Sequence, residues 1–436
     1  MLKKFECNNS YCYKDRVALD MSAERITVAD EVVTKIPELF DEVVRDPGGS
    51  RFILPVAAIY GKNASGKTKL IQSLRDMAVD ALGDSFSSAL AFSNLSPFEQ
   101  IVENRQFIFC EAPKTEISYF ICVVIKTTDD FQGAEYQLKY SIGYEGIKEE
   151  SVTIRGLGID DEPTPLYTRE GNKLIVCNDK PIRGNLKIME AQGNKRLWFS
   201  QIAPSHDGLD RLYEWFRYVR DGLTLNTTSN QERVFSGIAE RIANKKDESF
   251  RNRLLCFLKL LDFSISDIKG VQYGDRYHLL VYHRQNDSQN SSNAHRITNE
   301  SGGTRELIQK FELIDRSLTF GMPMICDELD KMLHPVVFKR IVEMFNFKDF
   351  NPRDAQLIFS AHDTIVLDSD LLRRDEVHIV DKDEFAAATI KRLSDYSEVG
   401  EYPRMESEFR TGWYQSFPGD LRKTYEEKED GSSKDA

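Results

Sequence analysis

Apolar and polar positions along the chain alternate first at strand spacing and then at helical spacing. Leu2, Phe5 and Cys7, followed by Val17, Leu19 and Met21, predict one or two short strands within residues 1–30. The run Phe52-Ile-Leu-Pro-Val-Ala-Ala-Ile-Tyr60 is almost wholly apolar and predicts a buried strand. Behind it, Leu70, Leu74, Met77 and Ala81 share one face of a helix predicted over 69–81. Ile117–Ile125 and Tyr136–Ile142 are β-rich, and residues 135–152 form a predicted hairpin about Tyr144-Glu-Gly146. From about Leu186 to Leu261 the period becomes helical, most clearly in Leu209–Val219 and Phe250–Leu261. Gln285–Ala294 is a polar loop without an apolar anchor, after which dense α/β patterning resumes to about Arg392. Glu426–Ala436 is charged and small-residued, which predicts a disordered tail. No internal repeat and no sustained heptad is present.

These patterns predict an α/β chain in four parts. Residues 1–160 form an N-terminal lobe with a β-rich subdomain, and 161–290 a mainly helical insertion. Residues 291–400 form a second α/β lobe, and 401–436 a C-terminal element with its tail. A composition of 41% hydrophobic and 29% charged residues over 436 residues permits a sizeable core. The net charge of −12 argues against a uniformly basic surface for indiscriminate nucleic-acid binding, although a local basic groove remains compatible with it. Cys7, Cys12, Cys110, Cys122, Cys177, Cys256 and Cys326 are scattered, odd in number and free of any C-x-x-C pair. They read as reduced thiols, mostly in the core, of a cytoplasmic protein. The N-terminus lacks a signal-like apolar region, and no run approaches the roughly eighteen apolar residues of a membrane span.

The chemistry concentrates in Ile59-Tyr-Gly-Lys-Asn-Ala-Ser-Gly-Lys-Thr-Lys-Leu70, which contains G-x-x-x-x-G-K-[ST] as Gly61, Gly66, Lys67 and Thr68. Between a predicted strand and a predicted helix, Gly61, Lys62, Asn63, Ala64, Ser65 and Gly66 would point backbone N–H groups at one spot. The helix dipole there also favours negative charge. Lys67 would neutralise β- and γ-phosphates, and the Thr68 hydroxyl would ligate Mg²⁺. A chance match in a glycine-bearing turn is the alternative, and the flanking elements speak against it. The prediction is a site for ATP with Mg²⁺.

Three downstream segments narrow the reading. Pro323-Met-Ile-Cys-Asp-Glu-Leu-Asp330 is an apolar strand ending in Asp327-Glu328, which places two carboxylates at the mouth of a sheet. Asp327 would hold Mg²⁺ through its water shell, and Glu328 would orient or deprotonate the attacking water. An acidic helix cap is the bland alternative. Ala355-Gln-Leu-Ile-Phe-Ser-Ala-His-Asp-Thr364 ends another strand in Ser360, His362 and Asp363, and His362 can hydrogen-bond a γ-phosphate. Asn299-Glu-Ser-Gly-Gly-Thr-Arg305 opens a helical run over 306–319 and offers a second N–H-rich terminus. One nucleotide does not need two such termini from one chain. Ser301, Gly302 and Gly303 are therefore expected to reach the γ-phosphate held by another copy, making a homodimer or higher homo-oligomer.

In this order the motifs resemble an ABC-type ATPase head of the SMC and RecF group. They are more closely similar to the ABC-like AAA-family ATPases of bacterial anti-phage and abortive-infection systems, of RloA and AbiL type, related to the ATPase subunit of PARIS systems. The stretches that carry the resemblance are Leu54–Thr68, Ser301–Arg305, Asp327–Pro335, Asn351–Thr364, Leu371–Asp375 and Phe409–Pro418. The resemblance implies a P-loop head with a β-rich lobe and a helical insertion, in which Lys67, Glu328 and His362 are catalytic. It departs from the family at Asn9-Ser-Tyr-Cys-Tyr13, where an Asn-Phe-Arg-Ser-Phe core is usual. It departs again at Trp413, where arginine is usual, and at Gln415-Ser416, where Gly-Ala is usual. Gln100 and Gln106 are weak candidates for the glutamine that such proteins place near Mg²⁺, and each reads more readily as a surface glutamine.

Absences discriminate further. Coiled-coil arms of a chromosome-structuring ATPase would need heptads. Roughly 60 residues follow Arg373-Arg-Asp375, too few for the TOPRIM-like domain of an OLD-family nuclease. The insertions are atypical of a transporter motor, and no membrane partner is expected. The leading expectation is a regulatory or sensor ATPase of a phage-defence module that controls a separately encoded effector, a TOPRIM-like nuclease or toxin. A phage-encoded trigger belongs to that reading. The alternative is a RecF/SMC-like ATPase of DNA repair or processing, with DNA as partner, and a third is a plain nucleotide-dependent scaffold.

Overall fold

The computed structural model describes residues 1–23, 44–45, 52–85, 96–108, 115–126, 133–157, 162–193, 195–223, 228–244, 248–259, 264–284, 292–367, 371–396 and 405–410. The chain opens with the antiparallel pair β1 (Leu2–Asn8) and β2 (Val17–Asp20). A small pair, β3 (Val44–Arg45) and β4 (Phe52–Ile53), precedes β5 (Val56–Tyr60), the P-loop and helix α1 (Lys67–Ala81). Helix α2 (Pro97–Arg105) leads into a meander of β6 (Glu116–Ile125), β7 (Ala134–Gly143), β8 (Gly146–Gly156), β9 (Thr164–Glu170) and β10 (Lys173–Cys177). Five helices follow: α3 (Lys180–Gln192), α4 (Trp198–Ile202), α5 (Leu209–Leu223), α6 (Thr228–Ala243) and α7 (Glu248–Lys259). Next come β11 (Ile265–Tyr273), β12 (Arg276–Arg284), β13 (Ser292–Arg296) and α8 (Gly302–Phe320). The last elements are β14 (Met324–Cys326), α9 (Pro335–Asn346), β15 (Leu357–Ser360), β16 (Val377–Lys382), β17 (Ala388–Arg392) and α10 (Met405–Arg410).

Two sheets organise the molecule. One is antiparallel, in the order β10-β9-β8-β7-β6-β1-β2. The other runs β14-β15-β5-β16-β17, with β14, β15, β5 and β16 parallel and β17 antiparallel at the edge. The P-loop strand β5 is wholly buried between β15 and β16. Because successive side chains of a strand face opposite ways, β5 divides its residues between two cores. Ala57 and Ile59 pack with α1, α5 and the antiparallel sheet, whereas Val56, Ala58 and Tyr60 pack with α6–α9. β14 and β15 alternate likewise, with Ile325 and Ile358 on the first side and Met324, Cys326, Leu357 and Phe359 on the second. The architecture is α/β, with the glycine-turn strand β5 inside a mainly parallel sheet, a β-rich antiparallel lobe and a helical segment.

The elements differ from expectation where local chemistry overrides period. Pro55 has no N–H to give a neighbour, and the predicted strand over 52–60 divides there into β4 and β5. The helical segment starts at Lys180, six residues before its predicted onset. Asp179 caps α3 by accepting from the Ile182 N–H at 3.3 Å, with Pro181 in the first turn. The division at residue 160 separates β8 from β9, which pair directly, so the antiparallel sheet continues to Cys177. Among the described residues, 161–290 accordingly contain the strands β9, β10, β11 and β12 besides their helices. Ser292–Ala294, at the end of the predicted polar loop, are part of β13. The rest of that loop and the tail over 426–436 lie outside the described residues. Among the described cysteines, all are free; Cys256 is exposed rather than in the core.

A buried ion pair joins the antiparallel sheet to the helices. Glu150 and Arg169 both have fully buried side chains, with Arg169 Nη2 2.6 Å from the carboxylate. Glu150 also accepts from the Tyr167 hydroxyl and from the Trp198 and Phe199 N–H groups, capping α4, while Arg169 lies over the Trp198 ring. Removing one partner leaves an uncompensated charge in the core. Arg169→Met should cost about 3–5 kcal/mol in urea unfolding, and Glu150→Gln combined with it should recover part of that loss. A cost near zero for Arg169→Met would show that the pair contributes nothing to stability.

Candidate functional site

The predicted P-loop forms at the carboxyl end of β5. Gly61 (φ 153°), Ala64 (φ 63°) and Gly66 (φ 123°) turn the chain sharply before α1. Glycine is required twice. A Cβ on Gly61 would lie 2.2 Å from the Val380 carbonyl oxygen, and one on Gly66 2.7 Å from Cys12 Sγ. Gly66 caps α1 without any side-chain hydrogen bond, so the first-turn N–H groups remain available to an anion. Lys62 is half-buried, Asn63 and Ala64 are exposed, and the buried Ser65 hydroxyl lacks a hydrogen-bond partner. Lys67 is buried and folds back on the loop, donating to the carbonyls of Gly61 at 2.8 Å and Lys62 at 3.0 Å. Its proton affinity is lowered by burial, against which the charges of Asp327, Asp330 and Glu328 pull upward.

Those carboxylates emerge from β14, separated from β5 by β15. The Ser360 hydroxyl at the end of β15 donates to Asp327 Oδ1 and accepts from the Glu328 N–H at 2.8 Å. Leu329 N–H bonds the Ser360 carbonyl at 2.9 Å. Glu328 sits at φ 52°, an uncommon backbone for a non-glycine residue, held by these bonds. Its carboxylate is half-exposed and accepts from Lys331 Nζ at 2.9 Å. That hydrogen bond, reinforced by the charges of Lys331, His362 and Lys67, holds it below the usual carboxylate range.

His362 is exposed, and its backbone is fixed by a residue outside the predicted set. Asp330 Oδ2 accepts from the N–H groups of both His362 and Asp363, each at 2.8 Å. The Tyr60 hydroxyl, one residue before the P-loop, donates to the Asp363 carbonyl at 2.7 Å. Asp330 stands within the motif that identifies Glu328, but spacing alone does not reveal that it turns towards β15. Tyr13 was also missed as a P-loop support; its hydroxyl donates to the Gly66 carbonyl at 3.0 Å. A cavity of about 740 Å³ lies in front of this group, lined by Gly61, Lys62, Asn63, His362, Glu406 and Arg410, among others.

Ser301, Gly302 and Gly303 do not line that cavity. Ser301 caps α8, accepting from the Thr304 N–H at 3.1 Å, and both glycines pack on Met332. Gln106 is buried and donates to the Tyr144 hydroxyl at 3.2 Å, so it is not a surface glutamine.

The donors fit Mg²⁺. Thr68 presents an exposed hydroxyl in the first turn of α1, and Asp327 is oriented through one oxygen by Ser360. These are hard oxygen ligands, and Mg²⁺ takes few from protein, filling its octahedron with phosphate and water. The uncapped α1 terminus, the two glycine turns and the unpartnered Ser65 hydroxyl likewise fit a phosphate chain.

No protein-family model and no curated protein matches the chain. Among solved structures, an SMC head bound to the C-winged helix domain of ScpA is 13% identical, covering 89% of this chain and 96% of that chain, with a TM-score of 0.46. The SMC head domain from Thermotoga maritima is 14% identical over 91% and 99%, with a TM-score of 0.39. The recombination mediator protein RecF of the RecFOR pathway is 12% identical over 89% and 98%, with a TM-score of 0.36. With TM-scores this low the likenesses are loose, and the residues of this chain carry the functional reading.

Proposed function

We propose that the chain is an Mg²⁺-dependent ATPase head that completes its site with a second copy of itself. The observation that carries this reading is the meeting of Lys67, Asp327, Glu328 and His362 at the ends of β5, β14 and β15, beside an uncapped helix terminus. Backbone N–H groups of 61–67 receive the phosphates, and Lys67 leaves the loop carbonyls to neutralise the β- and γ-oxygens. The Thr68 hydroxyl and Asp327 would hold Mg²⁺, which would supply compensation for the phosphate charge. Glu328, kept ionised by its neighbours, orients or deprotonates the attacking water once it leaves Lys331. His362 hydrogen-bonds the γ-phosphate. Ser301 and Gly303 of the second copy supply the remaining donors.

At the cellular level the same reading is a regulatory subunit of a phage-defence system, controlling a separately encoded effector of nuclease or toxin class. That part rests on the sequence resemblance and on the absence of heptads.

Lys67→Ala is expected to weaken ATP binding about 100-fold, because the one buried cation of the loop is removed. Unchanged affinity by calorimetry would sink the assignment. Glu328→Gln should retain ATP affinity and lose about 10²- to 10⁴-fold in kcat, since the amide keeps shape but cannot take a proton. As a tagged bait held in its ATP state, this variant should capture an effector from uninfected or infected cells. Capture of no nuclease or toxin from either would contradict the regulatory reading. The shared site is tested by complementation: Lys67→Ala mixed with Ser301→Arg, each inactive alone, should regain hydrolysis, because mixed pairs keep one intact composite site. A Ser301→Arg protein of normal activity that stays monomeric in ATP would refute sharing.

A further inference from the structure

The sheet of β11, β12 and β13 has one covered and one open face. Ile268, Leu279 and Val281 are buried, and a Cβ on Gly270 would lie 1.8 Å from the Ala239 carbonyl oxygen, so α6 covers the inner face closely. The alternation of the strands then puts Lys269, Tyr273, His278 and Tyr282 on the open side. Tyr273 is 57% exposed and its ring lies 5.8 Å from that of His278. The Lys269 ammonium stands 4.7 Å from the centre of the Tyr282 ring. Register brings Arg276 opposite Tyr273 and Arg296 opposite Leu280, with Arg284 at the far end of the same face.

The charge balance of this face is opposite to that of the chain. The three strands carry one carboxylate, Asp267, which is engaged by Arg251 and lies 3.9 Å from Lys269. Among the described residues, Arg276, Arg284 and Arg296 pair with no carboxylate, on a protein of net charge −12. An exposed Tyr273 ring and the half-buried rings of His278 and Tyr282, interleaved with cations on an open sheet face, fit bases for stacking and phosphates for charge.

We propose that this open face binds single-stranded nucleic acid. The Tyr273–His278 pair and the Tyr282 ring are the stacking platforms, and Lys269, Arg276 and Arg296 follow the phosphates. The two platforms lie four residues apart along β12, roughly 13 Å. A duplex conceals its base faces and would leave the rings without partners, so the occupant is single-stranded. The face is also tied to the predicted partner-facing helix: β13 runs directly towards Ser301, and His283 Nε2 on β12 lies 3.1 Å from Glu300 Oε1. Any effect on hydrolysis through that link rests on the ATPase reading; binding itself does not.

Fluorescence anisotropy of labelled oligo(dT) with the full chain, in the absence of nucleotide, tests this directly. Binding that weakens as salt rises is expected. Tyr273→Ala and Tyr282→Ala should each weaken it about fivefold to 100-fold with unchanged melting temperature. Arg276→Glu with Arg296→Glu should weaken it and flatten the salt dependence, whereas Lys187→Glu, on exposed α3, should leave it unchanged. No binding, indifference to all the sheet variants, or tighter binding to a duplex of the same length would overturn the proposal. Because no ATP is present, such a failure leaves the ATPase reading untouched, and a failed Lys67→Ala prediction leaves this one standing.

Discussion

Gly61 and Gly66 lie so close to what is beneath them that the P-loop cannot take another course. Val380 of the parallel sheet presses on the first, while Cys12 and Tyr13 from the β1–β2 turn press on the second. The Cys12 carbonyl also accepts from the Ala388 N–H at 2.7 Å, so the two sheets are bonded to one another directly below the loop. The direction in which α1 leaves, and hence where its free N–H groups point, follows from that contact. Lower down, α1 is held to the antiparallel lobe by charge. Arg105 Nη1 meets Asp80 at 2.8 Å and its Nε lies 3.3 Å from Asp76, while the Tyr140 hydroxyl donates to Asp80 at 2.9 Å. Any movement of the phosphate-binding helix therefore moves the antiparallel sheet with it.

The acidic side of the site is organised by hydrogen bonds that run across strands. Ser360 joins β15 to Asp327 and Glu328, and Asp330 returns the connection to His362. These bonds gather Asp327, Glu328 and Asp330, whose charges act on Lys67, with His362, whose charge acts on Glu328. Burial lowers that lysine's proton affinity, and the carboxylates oppose the effect. A phosphate chain placed between them would add negative charge beside Lys67 and repel Glu328 from the same side. In the structure Glu328 is held instead by Lys331, so this salt bridge competes with the position proposed for the carboxylate in hydrolysis.

The turn of residues 61–66 was legible because its residues are contiguous and because a glycine turn between strand and helix is a local event. The α/β alternation and most helices were legible from period for the same reason. What escaped was long-range. Nothing in the spacing shows Tyr13 reaching Gly66 across the sheets, or Met332 lying against Gly302 and Gly303. The sheet's continuation beyond residue 160 depends on pairing between β8 and β9, which composition does not encode. Gln106 illustrates the same limit: a polar residue read as surface is buried, its amide nitrogen donating to the Tyr144 hydroxyl.

The front of the site is shaped by the end of the described chain. Phe409 of α10 meets the Tyr60 ring edge-on at 5.5 Å, and Glu406 accepts from the Thr364 hydroxyl at 3.0 Å. One short helix is thus fastened both to the residue preceding the P-loop and to the loop of His362, and it walls the cavity between them. The two loops cannot separate without breaking one of those contacts. The cavity remains broad beside Lys62, Asn63 and His362, whereas hydrolysis favours a site from which bulk water is excluded. Neither α10 nor the chain's own α8 terminus closes that side. A second surface bearing N–H donors, as proposed for a second copy, would close it and complete the phosphate contacts in the same step, and would make assembly and catalysis one event rather than two.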